Sequence, residues 1–203
     1  MTSTHAVRLT SPSDRSPRHV RLPRRAALLS ATAALVALAS SPPAAAQLRA
    51  IGPLPPFDEP DTAHWINSEP LEIEDLRGLV VLVEFWTFGC ANCVRSIPWV
   101  SELESRYGER GLTVVGVHTP EFDYEKSISS VADFASRHGI SHPILIDGEM
   151  RYWRALRNRY WPAFYLVDRN GTIRAVHIGE THAGTDRSAA FEAKIETLLA
   201  EAP

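Results

Sequence analysis

Leu79–Trp86 reads LVVLVEFW, an apolar run rich in β-branched residues and broken only by Glu84. That is the pattern of a central strand buried on both faces, so the chain must supply covering layers above and below it. Thr87-Phe88-Gly89 turns the chain, and Cys90 to about Tyr107 has the pattern of a helix, with a kink expected at Pro98. Leu112–His118 (LTVVGVH) is a second buried strand, and Lys126–His138 is a helix with Ile128, Val131, Phe134 and Ala135 on one face. Pro143–Ile146 is a short strand and Met150–Leu156 a helical segment. Phe164–Val167 and Thr172–Ile178 are strands joined by Asp168-Arg169-Asn170-Gly171, whose Asn-Gly pair signals a hairpin. Ser188–Ala200 is a closing helix with Phe191, Ile195, Leu198 and Leu199 inward, and Trp65-Ile66-Asn67 is a short edge strand. The order β-α-β-α-β-α-β-β-α predicts an α/β fold. Its central sheet is mixed, parallel where strands alternate with helices, antiparallel in the C-terminal hairpin, and flanked by helices.

Ahead of this pattern the chain changes character. Six of its 19 arginines precede residue 26, Asp14 is the only acid in residues 1–46, and an uncharged run, Ala26–Ala39, leads to Ala44-Ala45-Ala46. A basic region, a short apolar run and an A-x-A site are the parts of a secretory signal peptide, with cleavage expected after Ala46. The alternative is an uncleaved membrane anchor, but the apolar run of 14 residues falls short of the roughly 20 that cross a bilayer. Arg24-Arg25 fits a twin-arginine export signal or a merely basic leader. Residues 47–64, with Pro53, Pro55, Pro56 and Pro60, form a proline-rich extended lead-in, and 65–203 form the domain. Beyond residue 46 the chain has 15 basic against 23 acidic side chains, a net charge of −8, which disfavours nucleic acid as a partner.

The chain's two cysteines form Cys90-Ala91-Asn92-Cys93, at the start of a predicted helix and straight after a buried strand. A disulfide closing so small a loop constrains the unfolded chain little, so the pair suits exchange better than stability. The first helical turn has unpaired N–H groups and a partial positive charge, which favours the Cys90 thiolate and makes it the attacking sulfur. Cys93, one turn on, is placed to attack the resulting mixed disulfide and release the partner. Cys90 is therefore expected to be exposed and Cys93 more buried. Three alternatives stand beside this reading. The pair is half of a zinc site completed by His138 and His142, although the intervening 44 residues are far from zinc-finger spacing. It is a structural disulfide. Or Cys90 reduces peroxide, since Thr87 precedes it by three as in T-x-x-C peroxidases.

Val83–Trp99, VEFWTFGCANCVRSIPW, resembles the active-site stretch of thioredoxin-like proteins, most of all the TlpA-like group and the periplasmic thioredoxin domain of DipZ-type proteins. Gly116–Phe122 (GVHTPEF) and Asn158–Ala163 (NRYWPA) are similar to segments of the DipZ-type domain, and Phe164–Gly171 (FYLVDRNG) to the strand and turn of many TlpA-like proteins. The resemblance covers about residues 65–200 and implies a thioredoxin-like fold. It implies that Pro162 is the cis-proline facing the cysteines and that Trp161 before it offers its backbone to an extended partner. It also implies that Glu84 is the buried acid behind the second cysteine, suited to take a proton from Cys93. The alternative for Glu84 is an exposed position on one face of the strand. Trp86 is expected to join Trp161 and Pro162 in binding substrate. His118 ends a central strand, where α/β folds place site residues, though a satisfied structural histidine is the plainer expectation. Glu121 and Phe122, on the loop after it, are candidate partner contacts. Arg151, Arg154, Arg157 and Arg159 form a solvated face.

These features together describe an exported thiol–disulfide oxidoreductase, and the resemblance to TlpA-like and DipZ-type domains implies a reductase rather than an oxidase. Its partners are cysteine-containing exported proteins and a membrane-bound or exported redox protein that recharges it. No dissociable cofactor, metal or nucleic acid is expected, and membrane contact arises only if the leader is retained. The rival functions are a thiol peroxidase and a non-enzymatic metal-binding module.

Overall fold

The computed structural model describes residues 48–201, so the expected signal peptide lies outside the described residues. Seven strands form one sheet: β1 (Gly52–Pro53), β2 (Trp65–Ile66), β3 (Val80–Trp86), β4 (Leu112–His118), β5 (Ile144–Ile146), β6 (Ala163–Val167) and β7 (Thr172–Ile178). Their spatial order is β1-β7-β6-β3-β4-β5-β2. β3, β4 and β5 are parallel; β6 runs antiparallel to β3, and β7 to β6. The edge strands β1 and β2 add antiparallel to β7 and β5. Four α-helices complete the domain: α1 (Ala91–Tyr107), α2 (Ile128–Arg137), α3 (Arg151–Ala155) and α4 (Asp186–Ala200). The expected mixed sheet is therefore present, with the hairpin β6–β7 beside the parallel strands.

The burial of β3 explains its composition. All seven of its residues are buried, and its two faces belong to different cores. Val81, Val83 and Phe85 pack with Val115, Tyr152, Trp153, Tyr165 and the N-terminal residues Leu54 and Phe57. Val80 and Leu82 pack on the other face under Trp99, Val100 and Leu103 of α1 and Phe191, Ile195 and Leu198 of α4. Further along that same face Trp86 meets Cys93 and Ile97 of α1 and Val131 and Ala135 of α2. Glu84 sits between Leu82 and Trp86 in this stripe, the one ionisable side chain in a strand of apolar ones. Period-two alternation puts it beneath α1.

The proline-rich segment is more than a connector. Ile51 donates its N–H to the Ile173 carbonyl at 2.8 Å, β1 pairs with β7, and Leu54 and Phe57 are buried in the core. Pro53 is tolerated because it lies on an edge strand, where a missing N–H leaves no ladder bond broken. Phe57 packs edge-on against Trp65 at 5.5 Å and against Tyr152 at 5.0 Å. Truncating it leaves a cavity that these rings cannot close. Phe57→Ala is expected to lower stability by about 3 kcal/mol, read by chemical denaturation; a loss below about 1 kcal/mol would show that the segment is only loosely attached.

Candidate active site

The site is built where β3 ends and α1 begins. The Cys90 N–H closes the intervening turn on the Thr87 carbonyl at 3.3 Å. Cys90 is the N-cap of α1, and its sulfur accepts the Cys93 amide at 3.3 Å. An N-cap side chain normally offers an oxygen to an orphan amide of the first turn; here a sulfur takes that place, and it does so best as a thiolate. Both thiols are free, with Cys90 partly exposed and Cys93 buried, the asymmetry that the spacing predicts.

Their proton affinities diverge accordingly. A hydrogen bond from the Cys93 thiol, together with the backbone N–H groups of Cys93 and Asn92, draws the Cys90 thiol down to about 7, against partial burial and the charge of Glu121. Burial, then the neighbouring Cys90, pushes the Cys93 thiol far above the usual range, and the charge of Glu84 adds to this. Cys93 is thus a poor thiolate unless a base takes its proton at the moment of attack. Glu84 is 3% exposed. Burial raises its carboxyl from the ordinary 4.5 to about 7, while the charge of His142 lowers it and that of Glu104 raises it.

Trp161–Pro162 is a cis peptide bond. The Pro162 carbonyl accepts the Gly179 amide at 2.8 Å. The Trp161 indole stacks on Trp153 at 4.0 Å and donates to the Thr119 carbonyl at 3.0 Å. Half-buried, Trp161 packs with Phe88 and Cys90 against the cluster that holds Cys93. Trp86 departs from expectation. It is 1% exposed and belongs to the core under α1 and α2, so it cannot touch a partner. Its place at the end of the sheet's most buried strand decides this. Glu121 and Phe122 are exposed on the loop after β4, and the arginines at 151, 154, 157 and 159 are exposed as well.

The alternative chemistries find less support. The fully buried Thr87 side chain contacts His118 Nε2 at 3.2 Å, which commits its hydroxyl to the histidine rather than to Cys90. Burial in turn holds the His118 imidazole down to about 4, against the charge of Glu125, so it is a neutral structural partner near neutral pH. His138 binds the Phe134 carbonyl and His142 binds Glu104. Among the described residues no three His, Cys, Asp or Glu side chains converge as a metal site would require.

Two features escape a reading of the sequence. Glu125 is fully buried and accepts three backbone N–H groups, from Gly89 at 2.8 Å, Glu121 at 2.6 Å and Phe122 at 2.9 Å. It pins the cysteine turn to the loop after β4, where the exposed rings of Phe122 and Tyr124 lie parallel at 5.7 Å. A side chain at position 89 would run into the Glu125 carboxylate and the Tyr124 hydroxyl, which explains the glycine. The second feature is the set Gly116, Trp86, His142 and Glu104 behind Cys93. An isolated glycine within the apolar run Leu112–His118 is the signal that pointed there.

Comparison with known proteins places the chain in a family. The sequence model of the Redoxin family matches residues 53–194. Protein DipZ of Mycobacterium tuberculosis is 45% identical over 139 residues, which are 67% of this chain and 20% of that protein. The chain thus spans about a fifth of the length of this relative. The thiol-disulfide oxidoreductase YkuV of Bacillus subtilis is 28% identical over 137 residues, 68% of this chain and 88% of YkuV. Among solved structures, a thiol-disulfide isomerase from Corynebacterium glutamicum superposes with a TM-score of 0.61 at 27% identity, covering 73% of this chain and 98% of that one.

Alkylation of Cys90 by iodoacetamide is expected to follow a midpoint near pH 7. Cys93→Ala removes the strongest donor to the thiolate and should raise that midpoint by on the order of one unit, while Cys93→Ser, which keeps a donor, should raise it less. Equal midpoints in all three proteins would mean that the helix terminus alone activates Cys90. Glu84 carries a stability signature of its own. Its folded-state carboxyl lies above its unfolded value, so the stability it contributes is complete below about pH 4.5 and is lost as pH rises through about 7. Glu84→Gln has no charge to bury and should be more stable than the parent at pH 8 by up to about 3 kcal/mol, with the gain gone at pH 4. Parallel stability curves for the two proteins would show that Glu84 titrates normally.

Proposed function

The chain belongs to the Redoxin family, in its thioredoxin-like thiol–disulfide oxidoreductase branch, and from that premise we propose that it is an exported reductase of protein disulfides. The observation that carries this reading is the split between the two thiols: Cys90 partly exposed at a helix N-cap, its sulfur accepting the Cys93 amide, and Cys93 buried one turn away. Cys90 attacks a partner disulfide as a thiolate, and one partner sulfur leaves as a thiolate. Glu84 then takes the proton of Cys93. The Cys93 thiolate attacks Cys90 Sγ, the bond from Cys90 to the partner breaks, and the second partner thiolate departs. The pair ends as a disulfide and the partner as a dithiol, two electrons having moved from one to the other.

Trp161 and Pro162 form the wall against which an extended partner segment lies, with the Trp161 backbone as its strand-like contact. The exposed Phe122 and Tyr124 extend that wall on the side of the cysteine turn. The direction rests on the likeness to TlpA-like and DipZ-type domains. The location rests on the basic, apolar and A-x-A pattern of residues 1–46. An oxidised pair must be recharged by a membrane-bound or exported redox protein, which also follows from that location.

The decisive experiment has two arms. Cys93→Ser should accumulate a mixed disulfide between Cys90 and its partners in the exported fraction, and Cys90→Ser should trap none. The reduction potential of the pair, by equilibration in thiol–disulfide buffers, is expected near the thioredoxin value of about −270 mV. A potential near about −120 mV would reverse the assignment to a disulfide donor, and failure to titrate as a two-electron couple would remove it altogether.

A further inference from the structure

Behind Cys93 the inner face of the sheet carries a line of polar atoms that the exchange chemistry just described leaves unused. Glu84 of β3 lies beside Gly116 of β4 in register. An added Cβ at Gly116 would lie 3.0 Å from Trp86 Nε1 and 3.2 Å from His142 Nε2. Both nitrogens are buried and without a hydrogen-bond partner. The other nitrogen of the same imidazole, Nδ1, lies 3.0 Å from Glu104 Oε2 on α1. The His142 side chain is 5% exposed, but that of Glu104 is 27% exposed and reaches solvent.

Each part of this arrangement has a physical consequence. Two orphaned nitrogens on one small buried space cost free energy unless something polar joins them. A carboxylate on Nδ1 fixes the tautomer in which Nδ1 carries the hydrogen, so the Nε2 lone pair is turned inward as an acceptor. The glycine matters because any side chain at 116 would press on both nitrogens. Glu84, meanwhile, must lose whatever proton it takes from Cys93 before it can serve again, and it lies 3% exposed beneath α1.

We propose that Glu84 is connected to solvent by a relay through a bridging water held by Trp86 Nε1 and His142 Nε2, and onward through His142 Nδ1 to Glu104. This deepens the thiol-exchange reading and rests on it. The proton leaves Cys93 Sγ for the Glu84 carboxylate and passes by the water to His142 Nε2. The Nδ1 hydrogen passes to Glu104, and Glu104 releases it to bulk. No electrons move along this path; those stay on the sulfurs. A buried place that offers a donor, Trp86 Nε1, and an acceptor, His142 Nε2, is of the kind that a water bridges. His142 and Glu104 act through Glu84 and not on the sulfurs, and Trp86, which packs in the same cluster as Cys93, holds the water. The ionisable groups acting on Glu84 are Cys93 and Glu104 from α1 and His142 from the segment before β5, while its strand neighbours Gly116 and Phe164 carry no charge.

The test uses the reduced protein and 5,5′-dithiobis(2-nitrobenzoate) in stopped flow. A first burst of thionitrobenzoate reports Cys90 attack, and a second reports resolution by Cys93. At pH 6 Glu84 must shed a proton before it can accept one. There Glu104→Gln is expected to slow the second phase about tenfold and leave the first unchanged. The sign is diagnostic, because removing the negative charge of Glu104 would by itself ease ionisation of Glu84 and speed the step. His142→Gln, which keeps a hydrogen-bonding side chain but cannot pass a proton from one ring nitrogen to the other, should slow the second phase similarly. A second phase as fast as or faster than the parent in Glu104→Gln, or a loss shared equally by both phases, overturns the relay. Glu84→Gln separates the two ideas: if it leaves the second phase untouched, the role of Glu84 itself fails. If it slows that phase while Glu104→Gln and His142→Gln do not, only the relay fails.

Discussion

The hydrogen bond from the Cys93 amide to the Cys90 sulfur is short-range, yet much of the domain is arranged so that it can form. It needs a helix that starts at Cys90, and a helix can start there only because β3 delivers the chain to that point with Trp86 and Phe85 already locked in the core. The sulfur takes the role of a capping oxygen, so the first turn of α1 gains most when the thiol is ionised. Stability of the helix terminus and reactivity of the nucleophile are therefore one free-energy term, not two. When Cys90 becomes bonded to another sulfur its charge disappears, and that part of the capping interaction weakens with it.

The same site contains two buried carboxyl groups treated in opposite ways. Glu125 is given three backbone N–H donors, which compensate for its removal from water. It is a brace, and its product is a fixed position for Gly89 and hence for the cysteine turn. For Glu84, burial and distant charges rather than hydrogen bonds set the proton affinity. A carboxyl so placed costs about 3 kcal/mol when ionised, a sizeable part of the roughly 5–15 kcal/mol that holds a domain together. An apolar residue would serve the strand better at that position. The proposed role as a base beside a thiol that cannot ionise alone gives that cost a purpose.

How much of this could be read from the chain follows from the range of each interaction. β3, β4 and β7 are visible because burial writes itself into consecutive residues, and α1 is visible because Cys90 and Cys93 mark its first turn. Glu84 stands out as a charge in an apolar run. β1 was hidden because Gly52-Pro53 lacks strand character; it is a strand only because β7 offers an edge. Trp86 stands four residues before Cys90, which suggests the substrate surface, whereas alternation along β3 turns it inward, and its burial is a property of α1 and α2 packing over it. Glu125 stands 36 residues from Gly89, and nothing local to either announces the bond between them. His142 was weighed with His138 as a metal half-site; the fold separates their roles, one stacked on Phe134 in solvent, the other turned beneath α1 toward Glu104.

The position of the cysteine pair, between the end of β3 and the first turn of α1, finally explains why the site has two distinct sides. On the outer side, Trp161, Phe122 and Tyr124 give an aromatic, solvent-facing wall, and Glu121 places a negative charge near Cys90 that opposes its ionisation. Under the proposed function that side meets the partner, and its elements sit on the segments after β4 and before β6, which can vary without disturbing the core. On the inner side, Glu84 and Gly116 are paired in the ladder of β3 and β4, and His142 stands two residues before β5, held by Glu104. Proton handling depends on ångström-level placement and so belongs on the rigid sheet, whereas accommodation of different partner segments belongs on the loops. Cys90 and Cys93, three residues apart on α1, are the points at which each side meets the sulfur chemistry: Cys90 serves the outer wall and Cys93 the inner row.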